Sequence, residues 1–249
     1  MRIVLVALVF GIGGWLDAGV ALAATAQQKC DANRLKAKAK YEKCVSDWLA
    51  KTYAGKPASI EKLAKCRIKY ASVWPKVQKL SGTTCDRARF EDNGDGTISD
   101  FLTGLRWEKK GDDGGVHDRD AVFAWSAGAP YLGNGAAFST FLTTQLNVAG
   151  FAGSSDWRMP SFAELQTIVR TDTTPCVGGP CVPAVFDSNC TPGCDIADCS
   201  CSALTYHWSA TENITAEDWA WAVEFGFGSV HGDTTKGNSY SVRAVRGGF

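Results

Sequence analysis

The chain has 249 residues, 45% of them hydrophobic and 21% charged, with 26 basic and 26 acidic side chains. That composition excludes a disordered chain and leaves room for one medium domain and a smaller module. The zero net charge hides a split: from residue 24 to 86 there are 14 Lys and Arg against 5 Asp and Glu, and from 87 to 249 there are 11 against 20, so a head of +9 precedes a body of −9. Such an asymmetry suggests two modules and a head able to meet an anionic partner or the body itself.

Met1-Arg2, an apolar run over residues 3–12 and a small-x-small ending at Ala21-Leu22-Ala23 read as a secretory signal peptide over residues 1–23. No Cys follows the cleavage site to carry a lipid, and no later segment is long and apolar enough to span a bilayer. The chain is therefore expected to be exported, secreted or periplasmic, and export takes it away from nucleic acid. All ten cysteines follow residue 23, which in an oxidising compartment predicts disulfides.

In the head, residues 24–86, Tyr41, Cys44, Val45, Trp48 and Leu49 fall at helical spacing between lysines, predicting an amphipathic helix over residues 29–52. Gly55-Lys56-Pro57 breaks it, and Ser59 caps a second helix whose run reaches Val77, with Pro75 set to kink or end it. Cys44 lies 11 residues before Gly55 and Cys66 lies 11 after it, so in an antiparallel hairpin both stand roughly 16 Å from the turn. Nested bridges are expected, Cys44 to Cys66 and Cys30 to Cys85, each contributing about 2 to 4 kcal/mol to a module with a small core. The hairpin's lysines fit an anionic polymer, although a solvated face opposite an apolar stripe is the more ordinary reading.

The body, residues 87–249, opens with Asp92-Asn93-Gly94-Asp95-Gly96-Thr97. Asn-Gly and Asp-Gly predict a tight hairpin. Asp92, Asn93, Asp95 and Asp100 also form a candidate calcium loop, but with Gly96 at the sixth position Glu91 and Leu102 take the first and twelfth, a poor EF-hand register. The hairpin is the stronger reading, and no cofactor other than calcium is suggested. Residues 118–127 and 136–149 read as two helices, the second burying Phe138, Phe141, Leu142 and Leu146.

Asp156-Trp157-Arg158-Met159-Pro160 then reads as a short strand halted by proline, and Ser161 with Glu164 is a capping box that starts a helix reaching about residue 169. Residues 171–205 hold Cys176, Cys181, Cys190, Cys194, Cys199 and Cys201 with no regular period. A zinc knuckle from the last four has the wrong spacing, so disulfides are favoured; six cysteines allow 15 pairings, and spacing does not choose among them. Residues 206–211, 220–225 and 239–246 predict strands in a closing antiparallel meander.

The motif set Asp92-Asn93-Gly94-Asp95-Gly96-Thr97, Thr103-Gly104-Leu105-Arg106-Trp107, residues 156–160 with Glu164, Trp208-Ser209-Ala210-Thr211-Glu212, Trp221-Ala222-Val223 and Val242-Arg243-Ala244-Val245-Arg246-Gly247 resembles the Lcl C-terminal domain family over about residues 87–249. The resemblance implies an α+β, C-type-lectin-like fold related to the formylglycine-generating enzyme, a twisted antiparallel sheet flanked by two or three helices, here preceded by the disulfide-linked helical hairpin. Trp107, Trp157, Arg158, Pro160, Ser161, Glu164, Trp208, Trp221, Arg243 and Arg246 are its framework positions. It further implies an adhesion-type binding module on exported bacterial proteins, with a glycan or other surface ligand. Lectin Glu-Pro-Asn and Trp-Asn-Asp motifs are absent from the sequence, and Ala244 stands where many relatives carry Cys.

His117, His207 and His231 show no metal-binding spacing, and no Gly-x-Ser-x-Gly elbow or phosphate loop occurs. A non-catalytic binding module is thus expected, with an oxidase-type enzyme or a structural envelope protein as alternatives. Glu212, Trp219, His231, Asp233, Lys236, Asn238 and Tyr240 are the candidate ligand contacts, polar or aromatic residues on loops and the outer strand face. None of these motifs specifies an assembly state.

Overall fold

The computed structural model of the chain describes residues 23–170, 176 and 178–248. The expected signal peptide therefore lies, up to residue 22, outside the described residues, as does most of the stretch from 171 to 177. Helix α1, Ala26–Tyr53, starts at a capping box in which Thr25 Oγ1 accepts from the Gln28 amide and Gln28 answers on the Thr25 amide. Helix α2, Ile60–Ala71, begins at the Ser59 cap, and Pro75 sits in the first turn of a short α3, Trp74–Val77, where its missing amide costs nothing. Cys44–Cys66 and Cys30–Cys85 close the hairpin as nested bridges. None of the described helices is long and apolar enough to cross a membrane.

Four strands form one antiparallel sheet in the order β1 (Phe90–Asp92), β2 (Thr97–Asp100), β3 (Leu105–Glu108) and β9 (Val245–Gly247). Five form a second sheet in the order β4 (Val122–Ala124), β8 (Ser239–Ser241), β5 (Tyr206–Glu212), β6 (Trp219–Glu224) and β7 (Ser229–Thr235). The β1–β2 turn is the hairpin that Asn-Gly and Asp-Gly predict, with Gly94 and Gly96 at φ of 71° and 82°. Residues 171–205 contain three further bridges, Cys176–Cys181, Cys190–Cys201 and Cys194–Cys199.

Strand β6 is buried on both faces, and each face meets a different layer. Trp221 and Val223 point to the hairpin side, where Trp48 packs against Phe162 and Trp221 at ring separations of 6.1 and 5.5 Å. Tyr41 donates from its hydroxyl to the Ala163 carbonyl at 2.7 Å, so hairpin and body share one core. Ala220 and Ala222 face the other way, toward Trp208, Trp157 and the helix Ala137–Val148. That helix is wound with π spacing, and Thr143 and Thr144 hydroxyls bond carbonyls five residues back. Each fully buried aromatic contributes about 1.5 to 3 kcal/mol, and this doubly covered strand supplies residues to both cores.

Three expectations are corrected. Residues 118–127 form no helix: Val122, Phe123 and Ala124 pair with β8 as strand β4, where a β-branched and an aromatic residue fit a pleat, while Trp125 is anchored by its indole N–H to the Ser209 carbonyl. Residues 239–246 are not one strand, because Arg243 turns inward to a buried carboxylate region and the chain passes from the five-stranded to the four-stranded sheet there. The closing segment is not a plain meander either, since β8 runs parallel to β5 and an unpredicted strand, β7, lies at the sheet edge. Gly232 obscures β7 in the sequence, yet a Cβ there would stand 2.7 Å from the Trp221 ring, so the glycine is a packing requirement.

The helix at the strand-to-helix junction, α4 (Phe162–Thr167), is shorter than expected but keeps both capping-box bonds. Glu164 also takes two bonds from Arg158, at 2.6 and 2.8 Å. Burial alone would raise the Glu164 carboxyl, but Arg158 and the Ser161 amide bring it below its ordinary value. Glu164→Ala is expected to lower stability by about 0.5 to 2 kcal/mol as a lost cap, measured by urea denaturation. An unchanged midpoint would contradict that role.

Beneath the junction of the two sheets lies a buried charge network. Glu108, with no exposure, forms an ion pair with Lys110 Nζ at 2.8 Å and accepts from His117 Nδ1 at 2.8 Å and the Ala244 amide at 2.9 Å. Arg243 donates to the carbonyls of Glu108 and Cys201 and to the Ser202 hydroxyl. Nearby His207 is buried against Phe225; burial first, and Arg243 next, push its imidazole down to about 3. The unfolded chain takes that proton near pH 6.5, so between the two values the unfolded state binds more protons and stability falls as pH drops. His207 is expected to contribute up to about 1.4 kcal/mol per pH unit to that loss. Denaturation midpoints at about pH 5 and pH 7 should differ less in His207→Phe than in the parent; an equal difference would remove His207 from the account.

Candidate functional site

The candidate ligand contacts divide into two groups. On the π-helix side of the five-stranded sheet, Tyr206 at the start of β5 lies 4.4 Å from the His231 ring and 5.1 Å from the Tyr240 ring, measured between centroids. Strand alternation puts them there: Tyr206 points opposite to buried His207, and Tyr240 opposite to buried Ser241. Glu224 stands directly across from Tyr206 in the β5–β6 register and across from Ser229 in β6–β7. All three rings are half-buried, with Asn238 and Asp233 exposed beside them.

Polar atoms surround this aromatic platform. Ser229 Oγ donates to Glu224 Oε2 at 2.7 Å and lies 3.0 Å from His231 Nε2, while Glu224 Oε2 lies 3.4 Å from the same nitrogen. Asn238 Nδ2 donates to the Tyr240 hydroxyl at 3.3 Å. Desolvation, followed by the charges of Glu224, Tyr240 and Asp233, holds the Tyr206 phenol above its ordinary value. The surface thus offers ring faces flanked by carboxylates and amide groups. Sequence reasoning included His231, Asp233, Asn238 and Tyr240 but missed Tyr206, Glu224 and Ser229; the signal that finds them is the alternation of Tyr206 with His207 and the register that brings Glu224 opposite.

Glu212, Trp219 and Lys236 form no part of the platform. Trp219 begins β6 across from Thr235. Lys236, expected to be exposed, is 1% exposed: its ammonium donates to Glu212 Oε2 at 2.7 Å, Glu217 carbonyl at 2.7 Å and Tyr131 carbonyl at 3.1 Å, and sits over the Trp125 ring. A long stem carries its charge through the apolar layer to a ready-made ring of acceptors, a placement that residue type does not reveal. Lys236→Met is expected to destabilise the fold by about 1 to 3 kcal/mol, because the Tyr131 and Glu217 carbonyls lose their donor while Glu212 turns to solvent. A melting curve like the parent's, with ligand binding lost, would restore Lys236 to the binding surface.

The candidate calcium residues each have a protein partner. Asp92 accepts from Lys109 at 2.7 Å, Asp95 pairs with Arg106, Asp100 accepts bidentately from Arg89, and Asn93 bonds Thr97 and Ser99. Asp100 is buried, its Oδ1 also taking the Leu102 amide. This arrangement ties the turn to β3 through cations already in place. The framework positions connect in the same manner: Arg246 donates to Asp156 at 2.6 Å and Arg158 to Glu164, while Trp107, Trp157, Trp208 and Trp221 fill the two cores around Pro160 and Ser161.

Comparison with known proteins gives one match: the Lcl C-terminal domain matches over residues 96–246. No curated protein and no solved structure matches the chain. The matched span runs from the β1–β2 turn into β9 and so holds most of both sheets, the π helix, α4 and the whole platform. With more than half of its length inside that match, this chain belongs to the Lcl C-terminal domain family.

Proposed function

We propose that the protein is an exported, non-catalytic binding module that recognises a glycan through the Tyr206–His231–Tyr240 platform, on a C-type-lectin-like body. The observation that carries this reading is the convergence of three half-exposed rings from β5, β7 and β8, with Glu224, Asp233 and Asn238 at their margin. A sugar presents an apolar C–H face that stacks on an aromatic ring and a rim of hydroxyls that needs acceptors and donors, and this surface supplies both. Its two carboxylates suit an uncharged or amino sugar better than a sulfated one. Five disulfides are consistent with an oxidising compartment, as export requires.

Geometry favours binding over an enzyme. Ser229 and Glu224 both approach the same His231 nitrogen, whereas a nucleophile relay needs the serine and the carboxylate on opposite ring nitrogens. All ten cysteines are bridged, which leaves no thiol for copper-and-thiol chemistry of the formylglycine-generating type. Calcium is not needed as a bridge, since the carboxylates of Asp92, Asp95 and Asp100 already hold cationic side chains.

A glycan array probed with the protein lacking residues 1–23 tests the reading. Hits are expected among uncharged or amino sugars and should persist in chelator. Tyr206→Ala with Tyr240→Ala should weaken binding to a hit at least about tenfold, as loss of two stacking rings worth about 1 kcal/mol each implies, without a large shift in melting. Unaltered affinity in the double variant would overturn the site.

A further inference from the structure

The outer face of the helical hairpin carries a feature that the platform does not explain. Two adjoining hollows, of about 270 and 290 Å³, run along the seam between α1 and α2 on either side of the Cys44–Cys66 bridge. Both are bounded by Cys44, Cys66 and Lys69, so they form one groove with the disulfide at its centre. Its walls carry Lys40 and Lys51 from α1 and Lys62, Lys65 and Lys69 from α2, all exposed. On α2 these lysines recur at three and four residues, which keeps them on one side of the helix over roughly 10 Å.

Among the described residues, none of these lysines is in an ion pair, whereas neighbouring Lys43 is held by Asp47 at 2.8 Å. Asp47, the acidic residue on the groove wall, is thereby already neutralised. Five uncompensated charges facing one concavity repel each other in the free protein and gain from any polyanion that lies between them. A solvated helix face needs no such alignment across two helices.

We propose that this groove binds a linear acidic polysaccharide, one bearing a carboxylate or sulfate on each repeat. Lysine is a compact point charge on a flexible stem, suited to anions whose spacing varies, and lacks the planar fork with which arginine selects a single carboxylate or phosphate. An acidic polypeptide is a poorer fit. The walls are helices whose backbone groups bond internally, so an extended peptide finds no strand edge to pair with. A charged sugar chain needs no such edge.

The test compares two variants of the protein lacking residues 1–23, with equal charge loss. Lys40→Gln, Lys62→Gln, Lys65→Gln and Lys69→Gln empty the groove; Lys29→Gln, Lys36→Gln, Lys76→Gln and Lys79→Gln remove exposed lysines that do not line it. Fluorescent dextran sulfate is titrated in about 0.15 M salt, with neutral dextran and poly-glutamate as comparison probes. The groove variant should lose affinity for dextran sulfate at least about tenfold and show a shallower salt dependence, whereas the control should change by less than about threefold. Neutral dextran should not compete. Equal loss in both variants would reduce the binding to net charge, equally tight poly-glutamate would reassign the groove to an acidic polypeptide, and no binding of dextran sulfate by the parent protein would end the proposal. Tyr206 and Tyr240 are untouched in both variants, so failure here leaves the platform reading standing.

Discussion

The constraint on which the rest of the structure depends is a carboxylate and a guanidinium fully buried at the point where three parts of the chain meet. Glu108 ends β3, Arg243 lies between β8 and β9, and the carbonyl of Cys201 and hydroxyl of Ser202 belong to the bridged loop. Burying such groups is costly, and removing one partner of the buried Glu108–Lys110 pair costs about 3 to 5 kcal/mol because the other is left uncompensated. The Glu108 carboxylate faces Lys110, His117 and the Ala244 amide, so burial, which would raise it, is outweighed and it lies below its ordinary value. Burial lowers the Arg243 guanidinium to about 10, still well within its charged range at neutral pH. The loop therefore does not dangle; its two nested bridges, Cys190–Cys201 and Cys194–Cys199, close a segment whose last residues are already hydrogen-bonded to the centre of the fold.

A second dependence runs through Trp221. Its indole donates to the Tyr53 hydroxyl at 2.8 Å at the end of α1, while its ring meets Trp48, Phe162 and the bare backbone of Gly232. The hairpin consequently forms one wall of the sheet's core, and it covers the face that would otherwise expose Trp221, Val223 and Phe225. The other seam of the hairpin, with Lys40, Lys51, Lys62, Lys65 and Lys69, stays in water.

Much of this was legible locally and little of it was legible at a distance. Ser59 and Ser161 announce their helices because a cap is satisfied within three residues, and the Asn93-Gly94 and Asp95-Gly96 turn because φ is a property of single residues. The nested hairpin bridges follow from symmetric spacing about Gly55. What failed depended on partners far along the chain. Val122 to Ala124 became a strand only because β8 lies beside it, and residues 239–246 broke in two because Arg243 is drawn inward. Lys236 looked like surface because a charged type usually is, yet its acceptors come from residues 131, 212 and 217, and no linear window contains them all. The platform was half visible for a similar reason: loop and edge residues suggested contacts, but Tyr206 and Glu224 are united by register.

The same sheet that was hard to read keeps two chemistries apart. Tyr206, His231 and Tyr240 stand on the Trp208 side, and the hairpin covers the Trp221 side, so alternation along β5 and β6 separates an acidic aromatic surface from a basic groove by a full packed layer. Through solvent the path between the two surfaces is longer than the Debye length of about 8 to 10 Å, so their exposed charges are largely screened from each other, since layers pack about 10 Å apart. The +9 and −9 halves of the chain therefore do not cancel as a zero net charge implies. Each face presents its own field, and the buried doubly covered strand β6 prevents either from collapsing onto the other.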